Sequence, residues 1–205
     1  PEEFDPVEET PDPADFLYIG ELRDLKGVGV LLNALLALKA ENYAARVVLV
    51  GSGTAEDMER YRRMAEPLGD RMAFLPPMPA RRAFALARNV VVPSLAESMP
   101  YIVLEAAAAG RPLLATDVGG IPEILDGPRE QLLPPGDAGA LAEALRLALR
   151  QPQRMTAEAS PRRDRMKQKF SLSVMAGRVE GIYRTALERF KERPANSAME
   201  ADFSR

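Results

Sequence analysis

Cysteine and histidine are both absent from the 205 residues. The first absence excludes disulfides, thiol catalysis and zinc held by thiolates, and it fits a cytoplasmic setting. The second excludes a His-based triad, a His general base and His metal ligation within this chain. No uninterrupted apolar run approaches the roughly 20 residues of a membrane span, and the first residues do not read as a signal peptide. Charge is not one-sided either: 27 basic against 30 acidic residues leave a net charge of -3. A nucleic-acid partner needs a basic face, so none is expected. The one basic cluster, Arg162, Arg163, Arg165, Lys167 and Lys169, has the helical spacing of a solvated surface. What is present, 46% hydrophobic and 28% charged residues, suits one well-packed domain of ordinary size with tails.

The chain divides by composition. PEEFDPVEETPDPAD (1–15) is acidic, carries four prolines and reads as a linker. Short apolar runs then follow one another: FLYIG (16–20), RVVLVG (46–51), RMAFL (71–75), NVVVPS (89–94), RPLLAT (111–116) and a brief QLLP (131–134). Their length and lack of polar alternation predict strands buried on both faces. Helical stretches separate them: VGVLLNALLALKA (28–40), a segment opened by Thr54 as N-cap with Glu56 and Asp57 behind it, PARRAFALAR (79–88), the run from ESMP to Gly110, and AGALAEALRLALR (138–150) capped by Asp137. Such alternation predicts an α/β domain over 16–150, a Rossmann-like, doubly wound parallel sheet of about six strands. Beyond 150 only helices are expected, over 153–169 and 172–192 within a C-terminal segment 151–193, and 194–205 is expected to be a disordered tail.

In such a sheet ligands bind at the carboxyl ends of the strands. The loops there are GELRDLKG (20–27), VGSGT (50–54), LPPMP (75–79), PSLAESMP (93–100) and TDVGGIPE (116–123). The fourth leads into a helix N-terminus, where free N–H groups and the helix dipole favour an anion. Glu97 precedes that helix and Glu105 follows eight positions on. Carboxylates accept hydrogen bonds from hydroxyls, so two of them flanking a phosphate site can hold sugar hydroxyls on each side of a diphosphate. Spacing alone favours the plainer reading, two solvated surface glutamates.

The array GELRDLKG, VVLVGSG, VVVPSLAESMPYIVLEAAAAGRPLLATDVGGIPEIL, LLPPGD and LAEAL resembles the donor-binding half of the group 1 retaining glycosyltransferases. The resemblance runs from about residue 16 to 150 in the family's order and spacing, and EEFDPVEE resembles the connector between the family's two halves. It implies the C-terminal half of a GT-B enzyme, in which two Rossmann-like domains face a cleft, with extra C-terminal helices. The donor is then a UDP- or GDP-linked sugar, no cofactor is permanently bound, and no metal is needed. Glu97 matches the motif glutamate beside the transferred sugar, and Glu105 the one that holds the ribose. Ser98, Met99, Pro100, Tyr101 and Ile102 match the segment running past sugar and diphosphate. Lys26 matches the lysine that neutralises the departing diphosphate, and Gly20 opens its loop. Glu97 and Lys26 are therefore the expected catalytic pair. The acceptor, a glycan or lipid-linked molecule, belongs to an N-terminal domain absent from this chain. The full-length enzyme is expected in the cytoplasm, peripherally associated with the inner face of the membrane, and engaged in polysaccharide or glycolipid biosynthesis by hexose transfer.

Two departures qualify the resemblance. Glu21 stands where the family has an arginine; Arg23 either supplies that charge or is a surface residue. The acceptor half is missing, so the chain alone is expected to bind a donor and not to transfer sugar. Two other readings stay open: a nucleotide-sugar-binding module without transferase activity, and a nucleotide-sugar epimerase of the same fold. Gly119 and Gly120 read as a tight loop near the donor, Glu123 as its brace, and Leu75 and Pro76 as core or nucleobase rest.

Overall fold

The computed structural model describes residues 2–126 and 132–191. Its sheet has five strands: β1 (Ala14–Ile19), β2 (Val47–Val50), β3 (Met72–Leu75), β4 (Ala87–Val92) and β5 (Leu113–Ala115). Their order is β3-β2-β1-β4-β5, and every neighbouring pair is parallel. Helices α1 (Val28–Ala40), α2 (Ala55–Ala65), α3 (Ala80–Phe84) and α4 (Tyr101–Ala108) connect successive strands. After β5 come α5 (Ile121–Leu125), α6 (Ala138–Arg150), α7 (Pro152–Phe170) and α8 (Leu172–Lys191).

Both faces of the sheet are covered, which is why the strands lack polar alternation. In β1, Phe16 and Tyr18 enter a core with Leu31, Leu35, Tyr61 and Leu145 of α1, α2 and α6. Leu17, between them, enters a second core with Phe84, Val103 and Ile124 of α3, α4 and α5. Period-two geometry divides one apolar run between two layers. Thr54 and Asp137 cap α2 and α6: each side chain accepts from the backbone N–H three residues on, at 3.1 and 2.9 Å.

The structure corrects the sequence reading in three places. The sheet has five strands, not six. Of QLLP, Leu133 makes a single parallel bridge to Thr116, and Pro134 and Pro135 follow it with no N–H to extend a ladder; Gln131 lies outside the described residues. The helix expected over 79–88 ends at Phe84, because the chain must already be extended at Ala87 to pair with Ala14. Arg162 does not belong to a solvated face: it is buried, and that burial lowers its guanidinium pKa, with Glu158 nearby opposing the shift.

Residues 2–13 run along the amino ends of the strands. The Val7 amide donates to Ala109 O and the Thr10 amide to Ala85 O, while Phe4 and Val7 pack against the second core. One compact unit ends at Lys167; the residues from Gln168 belong to another. In the latter, Leu172, Met175, Val179, Ile182, Leu187 and Phe190 of α8 recur at helical spacing and are exposed. The tail expected over 194–205 lies outside the described residues. No helix among the described residues is long and apolar enough to cross a membrane.

Candidate functional site

The strand order reverses direction between β1 and β4. The chain leaves β1 toward α1 on one face and leaves β4 toward α4 on the other. That parting opens a crevice at the carboxyl ends of the two strands. Into it come the loop 20–27 after β1 and the loop 93–100 after β4. They are stitched by the Leu95 amide, which donates to Leu25 O at 2.9 Å. Gly27 makes the approach possible: at φ 70° it is left-handed, and a Cβ there would lie 1.9 Å from Pro93 O.

The stitch brings Lys26 to Glu97 across 71 residues of sequence. Lys26 Nζ donates to Glu97 Oε1 at 2.6 Å, with the glutamate side chain 8% exposed and the lysine 24%. Ser94 Oγ donates to the same Oε1 at 2.9 Å. The loop after β5 presses on Glu97 from behind. A Cβ on Gly119, whose φ is 51°, would lie 1.7 Å from Glu97 O, so only glycine fits. A cavity of about 230 Å³ opens here, lined by Gly20, Glu21, Lys26, Glu97 and the segment Met99–Ile102. Of the residues picked out by sequence, the structure places Gly20, Lys26, Glu97, Met99, Pro100, Tyr101 and Ile102 on this lining.

Arg23, Ser98 and Glu105 are not on the lining. Arg23 Nε pairs with Glu21 Oε2 at 3.0 Å, both largely exposed. Ser98 is exposed beside the loop that carries Gly120. Glu105 lies on α4, and the partial burial of its carboxyl raises its pKa above the ordinary glutamate value. Pro100 takes the N-cap place of α4 rather than its first helical position. In the first turn the Tyr101 amide donates to Met99 O and the Val103 amide to Pro100 O, both at 3.0 Å, while Tyr101 and Ile102 border the cavity.

Three residues that sequence reasoning passed over belong to this site. Tyr18 lines the cavity from β1 and its hydroxyl donates to Glu21 O at 2.6 Å, fixing the first loop. Burial pushes its phenol pKa well up, and the charges of Glu97 and Glu21 add to that. Its signal was a polar-tipped side chain inside an apolar strand. Ser94 and Thr116 are the others; each is the hydroxyl residue where an apolar strand ends, in VVVPS and LLAT. The first loop is also braced from outside. Asp24 accepts both guanidinium nitrogens of Arg60, at 3.0 and 2.7 Å, and the Tyr61 hydroxyl at 2.8 Å. These donors hold its carboxyl below the usual aspartate value.

The chain and its fold have named counterparts. The model of the family described as glycosyl transferases group 1 matches residues 13–151. The D-inositol 3-phosphate glycosyltransferase of Corynebacterium glutamicum is 36% identical over 138 residues, 62% of this chain and 33% of that protein. The crystal structure of Anabaena HepE in complex with UDP-glucose superposes with a TM-score of 0.74 at 20% identity, over 85% of this chain and 49% of that one. The crystallised C-terminal domain of a glycosyl transferase group 1 family protein from Francisella tularensis superposes with a TM-score of 0.67 at 19% identity. There the match covers 81% of this chain and 96% of the other. The chain thus spans a third to a half of the length of the first two proteins.

Proposed function

Because the chain belongs to the glycosyl transferases group 1 family, whose relatives and neighbours are GT-B glycosyltransferases, we propose that it is the donor-binding half of a retaining enzyme that transfers a hexose from a nucleoside-diphosphate sugar. The observation that carries this reading is the Lys26–Glu97 pair, 2.6 Å apart in a cavity at the switch point of the sheet. Lys26 and the positive end of the α4 dipole meet the diphosphate, and Glu97 lies beside the sugar. Glu105, on the outer side of α4, holds the ribose hydroxyls. The ligand of HepE points to uridine as the base.

The chemistry follows from the charges. The bond between the anomeric carbon and the diphosphate oxygen breaks, and the nucleotide leaves with the electron pair. Negative charge grows on the leaving oxygen, where a fixed ammonium and a helix end stabilise it without a metal ion. The carboxylate of Glu97 faces the positive charge that develops on the sugar. The oxygen of the acceptor hydroxyl then bonds to the anomeric carbon with its configuration kept, and the hydroxyl proton passes to the departing diphosphate. The acceptor is held by the half that the longer relatives carry, so this chain alone binds the donor and does not transfer it.

Before any donor binds, each cation of the first loop already has a carboxylate: Lys26 has Glu97 and Arg23 has Glu21. The diphosphate must therefore draw the ammonium away from Glu97, and the site favours modest affinity. Calorimetric titration with UDP, GDP and ADP tests this. UDP is expected to bind, and Lys26→Ala to weaken it by roughly tenfold to hundredfold, the worth of hydrogen bonds to a charged group. Absence of binding to all three nucleotides, or binding indifferent to Lys26→Ala, sinks the reading.

A further inference from the structure

Glu97 has two hydrogen-bond partners of unlike mobility, and both are on one oxygen. Lys26 is an ammonium on a flexible stem and remains partly exposed. Ser94 is 1% exposed, and its Oγ is bound to the same Oε1 at 2.9 Å. Oε2 receives neither bond. Ser94 is itself fixed from the neighbouring strand end. Thr116, 3% exposed, donates its hydroxyl to Ser94 O at 2.7 Å and its amide to Val92 O at 3.2 Å. When an anion draws the Lys26 ammonium away, Ser94 is the donor that stays.

We propose that Ser94, steadied by Thr116, is a positioning residue that pins Oε1 of Glu97 and thereby presents Oε2 to the sugar of the donor. This rests on the donor-site reading above. A buried hydroxyl is satisfied by any nearby carbonyl, as Thr116 demonstrates. Ser94 instead gives its proton to a carboxylate, a charge-assisted bond about twice as strong as a neutral one. Without it, Glu97 is held by Lys26 alone and follows the ammonium toward the phosphates, away from the sugar.

The test is calorimetry with UDP and with UDP-glucose on the chain, on Ser94→Ala, on Glu97→Gln and on the double variant. Ser94→Ala is expected to remain folded, which its urea unfolding transition reports, and still to bind UDP. Its preference for UDP-glucose over UDP is expected to fall about tenfold, the worth of one hydrogen bond to a charged group. In the Glu97→Gln background the serine change is expected to do nothing more, because Ser94 acts through Glu97. A preference equal in parent and Ser94→Ala overturns the proposal, and so does a fall that persists without the carboxylate. If the parent binds no nucleotide, the donor reading fails by itself, and the pinning is judged on the ligand-free chain. There the carbon-13 carboxyl resonance of Glu97, identified by its loss in Glu97→Gln, must move in Ser94→Ala. An unmoved resonance overturns the proposal.

Discussion

At the carboxyl ends of the strands Glu97 lies nearly buried; at the amino ends Arg111 does. Arg111 is 4% exposed and anchored to the backbone on several sides. It donates to the carbonyls of Ala87, Arg88 and Val7 and to the Glu9 carboxylate. Burial lowers its guanidinium pKa, and Glu9 opposes that shift. Glu97 instead borders a cavity and shares one oxygen between a movable ammonium and a fixed hydroxyl. A buried charge whose partners are backbone carbonyls has nowhere to go, and it locks residues 7–9 against the start of β4. A buried charge whose main partner is a long side chain can exchange that partner for a ligand.

Arg111→Met should break the comparison most visibly. The change leaves the three carbonyls without their donor and Glu9 without its cation, and removal of one partner from a buried charged network costs about 3 kcal/mol. Urea unfolding measures it. UDP affinity, measured well below the transition, should be unchanged because no Arg111 partner lies in the cavity. An Arg111→Met chain as stable as the parent would show that this end of the sheet is not locked by charge.

Glu97→Gln should move the other way. The amide keeps the shape and releases the ammonium from its carboxylate, so UDP binding is expected to tighten by about threefold, in line with the small worth of partly solvated pairs. The gain should fade in high salt. Unchanged or weaker UDP binding would mean that Lys26 is not held back by Glu97.

The reading of the sequence reached one end of this comparison better than the other. Lys26, Glu97 and the segment Met99–Ile102 were legible because a family pattern runs through them. The strands were legible because VVLV (47–50) and VVV (90–92) are apolar throughout, as burial on both faces requires. Ser94, Thr116 and Tyr18 were not, because they act through contacts between loops whose meeting depends on strand order. Nothing in spacing says that β1 lies beside β4. Arg111 reads as the first residue of the strand RPLLAT until residues 7–9 are seen to meet it. The surplus strand at QLLP and the buried Arg162 are the converse error. Local composition suggested a strand and a solvated face, and tertiary context decided otherwise.

A third charged cluster sets the lower bound of the comparison. Asp24 sits two residues before Lys26, is exposed, and ties the first loop to α2 through Arg60 and Tyr61. The hydrogen bonds from Arg60 and then Tyr61 hold its carboxyl below the ordinary 3.8. A carboxylate lowered in the folded state adds stability above its unfolded pKa, and that stability is lost as the pH falls through the folded value. Asp24→Asn should therefore melt below the parent at about pH 6, and the gap should close as the pH falls below the ordinary aspartate value and through the lower folded one, where the parent's carboxylate is itself being protonated. The gap should be the smallest of the three effects, because water competes for Asp24 and Arg60, the charged members of the cluster. A gap that stays constant to low pH would assign the role of Asp24 to its shape instead of its charge. The first loop would then be held by the Tyr18 hydroxyl and the Leu95 amide, from inside the cleft.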